Sequence, residues 1–186
     1  MLALINDILD LAKLEVGKLE LREEAVDLVV VTAEAVRDLR ETARSAGVTI
    51  RLDAPAGSVS VMGDRLRLRQ VLDNLLSNAV KFTPAPGLIV AAVERRADGG
   101  TAIIVTDTGI GIPANDLARV FLAFEQSDSR LARAAQGTGL GLPLVRQLVE
   151  CHGGTVELSS ELGAGTKVVV ELPSLRSCGS ASKLRP

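Results

Sequence analysis

The sequence has no tryptophan or tyrosine and only three phenylalanines, two cysteines and one histidine among 186 residues. Cys151 and Cys178 are too few for a disulfide framework, and neither belongs to a CxxC pair. The chain is therefore expected in a reducing compartment, the cytoplasm, with membrane anchoring of a longer protein left open. One histidine leaves no donor set for a His/Cys zinc site. No apolar run approaches the ~18 residues of a membrane span. Asn6, Asp7, Asp10 and Lys13 interrupt the apolar pattern of the first residues, so neither a signal peptide nor a spanning helix is expected there. A net charge of −2 gives no electrostatic case for nucleic acid or an anionic membrane. No GxxxxGK[ST] loop and no internal repeat is present. A GxGxG spacing late in the chain, with no βαβ unit around it, fits a Rossmann domain poorly.

What is there is a chain 47% apolar and 24% charged, ordinary for a globular protein and long enough for one domain plus an appendage. Its organising stretch runs from Thr106 to Leu142. That stretch opens on Asp107-Thr108-Gly109-Ile110-Gly111 and closes on Gly137-Thr138-Gly139-Leu140-Gly141, with Phe121 and Phe124 as the only aromatics between. Glycines at alternate positions uncover backbone N–H groups and permit positive φ, which is how a chain wraps a polyanion. A long segment between two such clusters predicts a binding loop or lid over a nucleotide.

The periodicity predicts helices over about 1–20, 29–46, 65–80 and 138–151, with a short helical turn over about 114–120. The first carries two apolar rows, which fits a helix cut from a bundle or a terminal helix docked on its own domain. Asp64 is placed to cap the third helix, with Leu66, Val71, Leu75 and Ala79 inward. Strands are predicted at 25–28, 48–52, 59–62, 88–93, 101–105, 155–158 and 167–172, with turns at Ala97-Asp98-Gly99-Gly100 and Gly163-Ala164-Gly165. The order predicts an α+β sandwich with helices on one face of a mixed, mainly antiparallel sheet. Residues from Ser174 onward read as a flexible tail.

On the third helix Asn74 and Asn78 stand at i and i+4, with Lys81 one turn on. Two carboxamide oxygens and an ammonium on one stripe suit a hydrated Mg²⁺ and phosphate oxygens, and equally suit a solvated face with incidental amides. Phe121 and Phe124 fit lid anchors or plain core packing.

Asn74-x-x-x-Asn78-Ala-x-Lys81-Phe82, Asp107-x-Gly109-x-Gly111, Phe121-x-x-Phe124, Gly137-x-Gly139-x-Gly141 and Gly163-x-Gly165-Thr166 occur in that order. They resemble the N, G1, F, G2 and G3 boxes of sensor histidine kinases, in the gyrase, chaperone, kinase and MutL ATPase superfamily, over about residues 1–173. Five ordered boxes are a specific signal where any one would be weak. The resemblance implies a Bergerat ATP-binding fold. It divides the chain into residues 1–22 as the second helix of a dimerisation and phosphotransfer hairpin, 23–173 as an ATP-binding catalytic domain, and a tail over 174–186.

It further implies that Asp107 accepts a hydrogen bond from the adenine amino group, with Gly109, Ile110 and Gly111 along base and sugar. Thr166 supports the adenine contact, Asn78 is the main Mg²⁺ ligand with Asn74 assisting, and Lys81, beside Phe82, reaches a phosphate. Gly137, Thr138, Gly139, Leu140 and Gly141 offer helix N-terminal N–H groups to the phosphates. Arg133 is a candidate γ-phosphate contact. Relatives that hydrolyse ATP with water usually carry a glutamate where this chain has Asn74, which cannot take a proton. The implied reaction is therefore transfer of the γ-phosphoryl of Mg-ATP to a histidine, for relay to a response regulator or phosphotransfer protein.

His152 is read as the family's helix-ending His-Gly-Gly rather than as the acceptor, which the resemblance puts on a preceding helix absent from this chain. Homodimerisation through the hairpin is expected of the full-length protein. The departures are Ala134, Ala135 and Gln136, where many relatives have basic, aromatic and glycine residues. They predict a loosely held lid without nucleotide, with Arg130 available to compensate, and they keep open an alternative: a catalytically weak, pseudokinase-like nucleotide- or partner-binding module.

Overall fold

The computed structural model describes residues 9–10, 14, 19–123 and 139–174. The expected lid residues Phe124, Arg130, Arg133, Ala134, Ala135 and Gln136, the glycine-cluster residues Gly137 and Thr138, and the tail from residue 175 lie outside that set.

The elements are β1 (Glu24–Asp27), α1 (Leu28–Ser45), β2 (Val48–Asp53), β3 (Ser60–Gly63), α2 (Arg65–Phe82), β4 (Gly87–Arg95), β5 (Thr101–Asp107), α3 (Gly141–Cys151), β6 (Thr155–Glu161) and β7 (Gly165–Leu172). Five strands form one sheet in the order β2-β4-β5-β7-β6, and β1 and β3 pair in a separate ribbon. Only β2 and β4 run parallel; the other ladders of the large sheet are antiparallel. The helices cover one face of this mixed sheet, an α+β architecture. Among the described residues no helix is long and apolar enough to cross a membrane.

The core lies between that face and the helices. Every second residue of the central strands points into it: Ile89, Ala91 and Val93 from β4, Ile103 and Val105 from β5, Val168 and Val170 from β7. The period-3.6 stripe of α2 meets them with Leu68, Val71, Leu72, Leu75, Leu76 and Ala79. Each fully buried leucine here contributes about 1.5–3 kcal/mol of apolar transfer. Leu66 does not join this stripe; it is 70% exposed. Two residues back from Leu68 is about 200° around the helix, so the expectation that Leu66 packs inward fails on geometry.

Capping follows the sequence at α2, where Asp64 Oδ1 accepts from Arg67 N at 3.1 Å. At α1 the cap is Asp27, which also closes β1; its Oδ1 accepts from Val29 N at 3.0 Å and Val59 N at 3.3 Å, tying the helix start to the strand entry. Gly47 ends α1 with φ +72°. The terminal helix is helical where it is described, at Leu9, Asp10 and Leu14. Asp10 Oδ2 accepts from Arg67 Nη1 at 2.6 Å and Gln70 Nε2 at 3.1 Å, which fastens that helix to the first turns of α2.

Two predicted elements come out differently. The turn after Pro113 is a three-residue 3-10 segment, Ala114–Asp116. α3 begins at Gly141 rather than at Thr138, because Gly139 takes φ +70° and a right-handed helix cannot pass through it.

His152 is buried with both ring nitrogens engaged. Nδ1 lies 2.7 Å from Leu148 O, and Nε2 accepts from Asp64 N at 3.0 Å. Leu148 O can only accept, so the ring is the Nδ1–H tautomer and pins the end of α3 to the start of α2. Gly63 leaves room for it; a Cβ there would stand 2.8 Å from His152 Cδ2.

Candidate functional site

β4, β5, β7 and β6 run longer than their apolar alternation, and the added length builds the site. The ladders place Ile89, Asp107, Thr166 and Ser160 in one cross-strand row. Ile89 belongs to the core, so its row-mates Asp107, Thr166 and Ser160 stand on the helix-covered side of the sheet.

Asp107 Oδ1 accepts from Gly109 N at 2.8 Å and Thr166 N at 3.2 Å. Burial raises the Asp107 carboxyl pKa above its ordinary value, and the two N–H donors pull against that rise. Neither hydrogen bond uses Oδ2, which leaves that oxygen as an acceptor in a sparsely solvated setting.

The loop after Asp107 is clipped on both sides. Ile110 N donates to Phe82 O at 3.1 Å, and Gly163 N donates to Ile110 O at 2.8 Å. Ile112 N donates to Ser160 Oγ at 2.8 Å. The loop glycines serve these close approaches. A Cβ on Gly109 would stand 2.6 Å from Phe82 O, and one on Gly111 1.9 Å from Glu161 O. Protein backbone, not open space, fills the volume a side chain would need there. Gly165, at φ +112°, is held against Asp107 O in the same way.

Gly111→Ala is therefore expected to lower stability by roughly 2–5 kcal/mol, combining a left-handed residue at φ +67° with a backbone clash. Gly163→Ala, at φ +81° with nothing within 4 Å, should lose only the backbone part, about 1–2 kcal/mol. Denaturant unfolding of the two variants measures both; equal losses would contradict the clipped-loop account.

The other end of the site lies along α2. Asn74 Nδ2 donates one of its two hydrogens to Gln70 O at 3.0 Å, which orients the amide with Oδ1 outward. A Cβ on Gly141 would meet Asn74 Oδ1 at 3.0 Å and Asn78 Nδ2 at 3.4 Å, so the amide pair faces the start of α3. No side chain caps that start. Its first N–H groups and positive dipole end face the same space as the two amides. Burial lowers the Lys81 pKa, and its ammonium sits 4.8 Å from the Phe82 ring centroid. Among the described residues it has no carboxylate partner within ion-pair distance.

A desolvated cation, a helix start with no side-chain cap and two amides are groups that suit an anion. Among the described residues no cluster of three His, Cys, Asp or Glu side chains offers a cage for a metal. The donor set instead fits Mg²⁺, which takes few protein oxygens and completes its shell with water and phosphate.

α2 is the wall shared by both ends. Asn74 to Phe82 is eight residues, about 12 Å of helix, from the anion end to the carbonyl that holds the Asp107 loop. The structure thus sets Asn74 and Asn78 beside Gly141, next to Leu140 and Gly139, at one end, and the Phe82 carbonyl with Asp107, Gly109, Ile110, Gly111 and Thr166 at the other, with Lys81 over the Phe82 ring on the shared helix. Arg133, Gly137 and Thr138 lie outside the described residues. Phe121 is half-buried, with the Arg146 guanidinium 5.8 Å from its ring centroid. Sequence reading missed Ser160 and the structural need for Gly165. Counting hairpin register back from Thr166 across Leu162-Gly163-Ala164 would have found both.

Residues 63–176 match the model of the histidine kinase-, DNA gyrase B- and HSP90-like ATPase family. The chain is 46% identical over 176 residues to the non-motile and phage-resistance protein of Caulobacter vibrioides, covering 93% of this chain and 21% of that protein. It is 43% identical over 175 residues to the histidine protein kinase DivJ of the same species, covering 94% and 29%. Among solved structures it superposes with full-length ShkA, crystallised in complex with AMPPNP, at a TM-score of 0.80 and 33% identity, over 92% of this chain and 35% of that one. The chain thus spans between 21% and 35% of the length of these relatives.

Proposed function

The chain belongs to the histidine kinase-, DNA gyrase B- and HSP90-like ATPase family, as an ATP-binding catalytic domain of the sensor histidine kinase kind, and from this premise we propose that it transfers the γ-phosphoryl of Mg-ATP to a histidine on another helical segment. The observation that carries the reading is the two-ended site along α2. Asp107 and Thr166 present acceptors at one end, where an adenine amino group is satisfied. Asn74, Asn78, Lys81 and the α3 N-terminus meet the triphosphate at the other. Asn78 and Asn74 would hold Mg²⁺ through their carboxamide oxygens; the metal supplies charge neutralisation on the β- and γ-phosphates.

The acceptor is not within these 186 residues. Their single histidine, His152, is buried and has both nitrogens committed. Asn74 has no proton affinity with which to activate water, which favours a protein nucleophile over hydrolysis. The phosphorylated histidine would hand its group to a response regulator or phosphotransfer protein. Residues 1–22 would supply one helix of the dimerising hairpin, ahead of a catalytic domain over 23–173. Arg133 would contact the γ-phosphate, and Gly137 and Thr138 would offer backbone N–H groups to the phosphates.

The test is to supply a histidine-bearing helical hairpin from a sensor kinase in trans with γ-labelled ATP. Acid-labile, base-stable label on that hairpin is the expected result. Label released only as inorganic phosphate would replace the kinase reading with a hydrolase, and nucleotide binding without any transfer would reduce the domain to a binding module.

A further inference from the structure

Ser160 on β6 has three polar partners, and counting hydrogens among them fixes a property of the pocket. Its Oγ lies 2.8 Å from Ile112 N, 2.7 Å from Gly165 O and 2.9 Å from Thr166 Oγ1. A hydroxyl owns one hydrogen and two lone pairs. Gly165 O offers only lone pairs, so the Ser160 hydrogen goes there. Ile112 N offers only a hydrogen, so it occupies one Ser160 lone pair. What is left for Thr166 is the second lone pair, and Thr166 must therefore be the donor in that contact. Its single hydrogen is spent on Ser160, and its oxygen turns only lone pairs toward the rest of its surroundings.

We propose that Ser160 is a specificity-determining positioning residue: by consuming the Thr166 proton it makes the Thr166–Asp107 wall an acceptor-only surface, which selects a purine carrying an amino group at that edge over one carrying a carbonyl. The inference rests on the nucleotide-binding reading above and deepens it. Thr166 and Asp107 are cross-strand partners on the same side of the sheet, and Asp107 Oδ1 already takes two backbone N–H groups, so neither residue has a donor to offer while the carboxyl is ionised. A 6-amino group, or a water carried between it and Thr166, finds acceptors. A 6-carbonyl meets lone pairs with no hydrogen between them, and an unmatched buried polar pair discriminates strongly. Without the Ser160 hydroxyl the Thr166 O–H is free to rotate and donate, and the wall accepts either base.

The experiment is calorimetric titration of ATP and ITP into the wild type, Ser160→Ala, Thr166→Val and the double variant. ITP keeps the sugar and triphosphate and replaces the 6-amino group by a carbonyl and N1 by N1–H. Phosphate contacts, and any general loosening from the lost Ile112 bond, cancel in the ratio of the two dissociation constants. The wild type should prefer ATP by at least about tenfold, and Ser160→Ala should cut that preference about fivefold, the worth of one hydrogen bond. Thr166→Val should cut it as far, and the double variant no further, because both act through one hydroxyl; Ser160→Thr should keep the wild-type ratio.

A Ser160→Ala ratio equal to wild type, or an undiminished effect of Ser160→Ala in the Thr166→Val background, overturns the proposal. If circular dichroism shows Ser160→Ala unfolded, Thr166→Val alone decides: an unchanged ratio overturns the proposal and a reduced one supports it. A wild type that binds ATP and ITP equally also overturns it while leaving nucleotide binding intact. A wild type that binds neither fails the underlying reading as well.

Discussion

Asn78→Ala is expected to lower phosphoryl transfer to a histidine supplied in trans by about 10²–10³-fold, the range for removing one positioned electrostatic contact from a transition state. Asn78 is a half-buried residue on the polar stripe of α2, away from the leucine stripe that holds the helix to the sheet. Its amide makes no hydrogen bond within the protein among the described residues. The helix loses nothing by its removal, and alanine is the better helix former. The variant should therefore melt at or slightly above the wild-type temperature while transfer collapses. Binding should lose most of its dependence on Mg²⁺, because the residue read as the main Mg²⁺ ligand is gone. Transfer rates at saturating nucleotide, paired with thermal melting, measure both. A variant that melts normally and transfers at the wild-type rate would remove Asn78 from the machinery.

The second large effect is at Asp107. Asp107→Asn should weaken ATP binding by roughly ten- to a hundredfold, since a hydrogen bond to a charged group contributes about 1.5–3 kcal/mol. The same change should stabilise the ligand-free domain at pH 7. Burial raises the Asp107 pKa in the folded state, so the folded protein holds that proton more tightly than the unfolded chain does. The resulting contribution to stability is fully present below the unfolded value, about 3.9, and is lost as pH rises through the folded value. At neutral pH the ionised carboxylate is thus a net cost of folding. An amide oxygen still accepts from Gly109 N and Thr166 N without carrying that charge. Affinity and ligand-free stability should move in opposite directions, read by titration and by melting. A variant that loses both would make Asp107 a structural residue instead of a ligand contact.

The parts of this fold readable in the sequence are those where periodicity and burial agree. α2 with its Asp64 cap, and the asparagine pair one turn apart, follow from a helix whose apolar and polar stripes are cleanly separated. β5, β7 and β6 were predicted two or three residues short at the site ends. There the alternating apolar pattern gives way to Thr106-Asp107, Thr166 and Ser160, and ladder hydrogen bonds rather than burial continue the strand. Leu66 misled because a leucine one residue from a helix start looks inward until the phase of the whole stripe is set by Leu68, Leu72 and Leu76. Gly139 inside a glycine-rich run gave no sign of which glycine would take the left-handed turn, so the start of α3 was placed three residues early. Ser160 reads as an exposed hairpin serine, and only the register of β6 on β7 brings it beside Thr166.

The central claim is that one site binds an adenine nucleotide at both ends, base at Asp107 and triphosphate at Asn78, Lys81 and the α3 N-terminus. Its most direct measurement is calorimetric titration of the domain with ATP and with adenosine, each with and without Mg²⁺. ATP should bind at least about tenfold more tightly than adenosine, the equivalent of one charge-assisted contact, and only the ATP titration should respond to Mg²⁺. Equal affinity for ATP and adenosine, or binding of neither, would contradict the account.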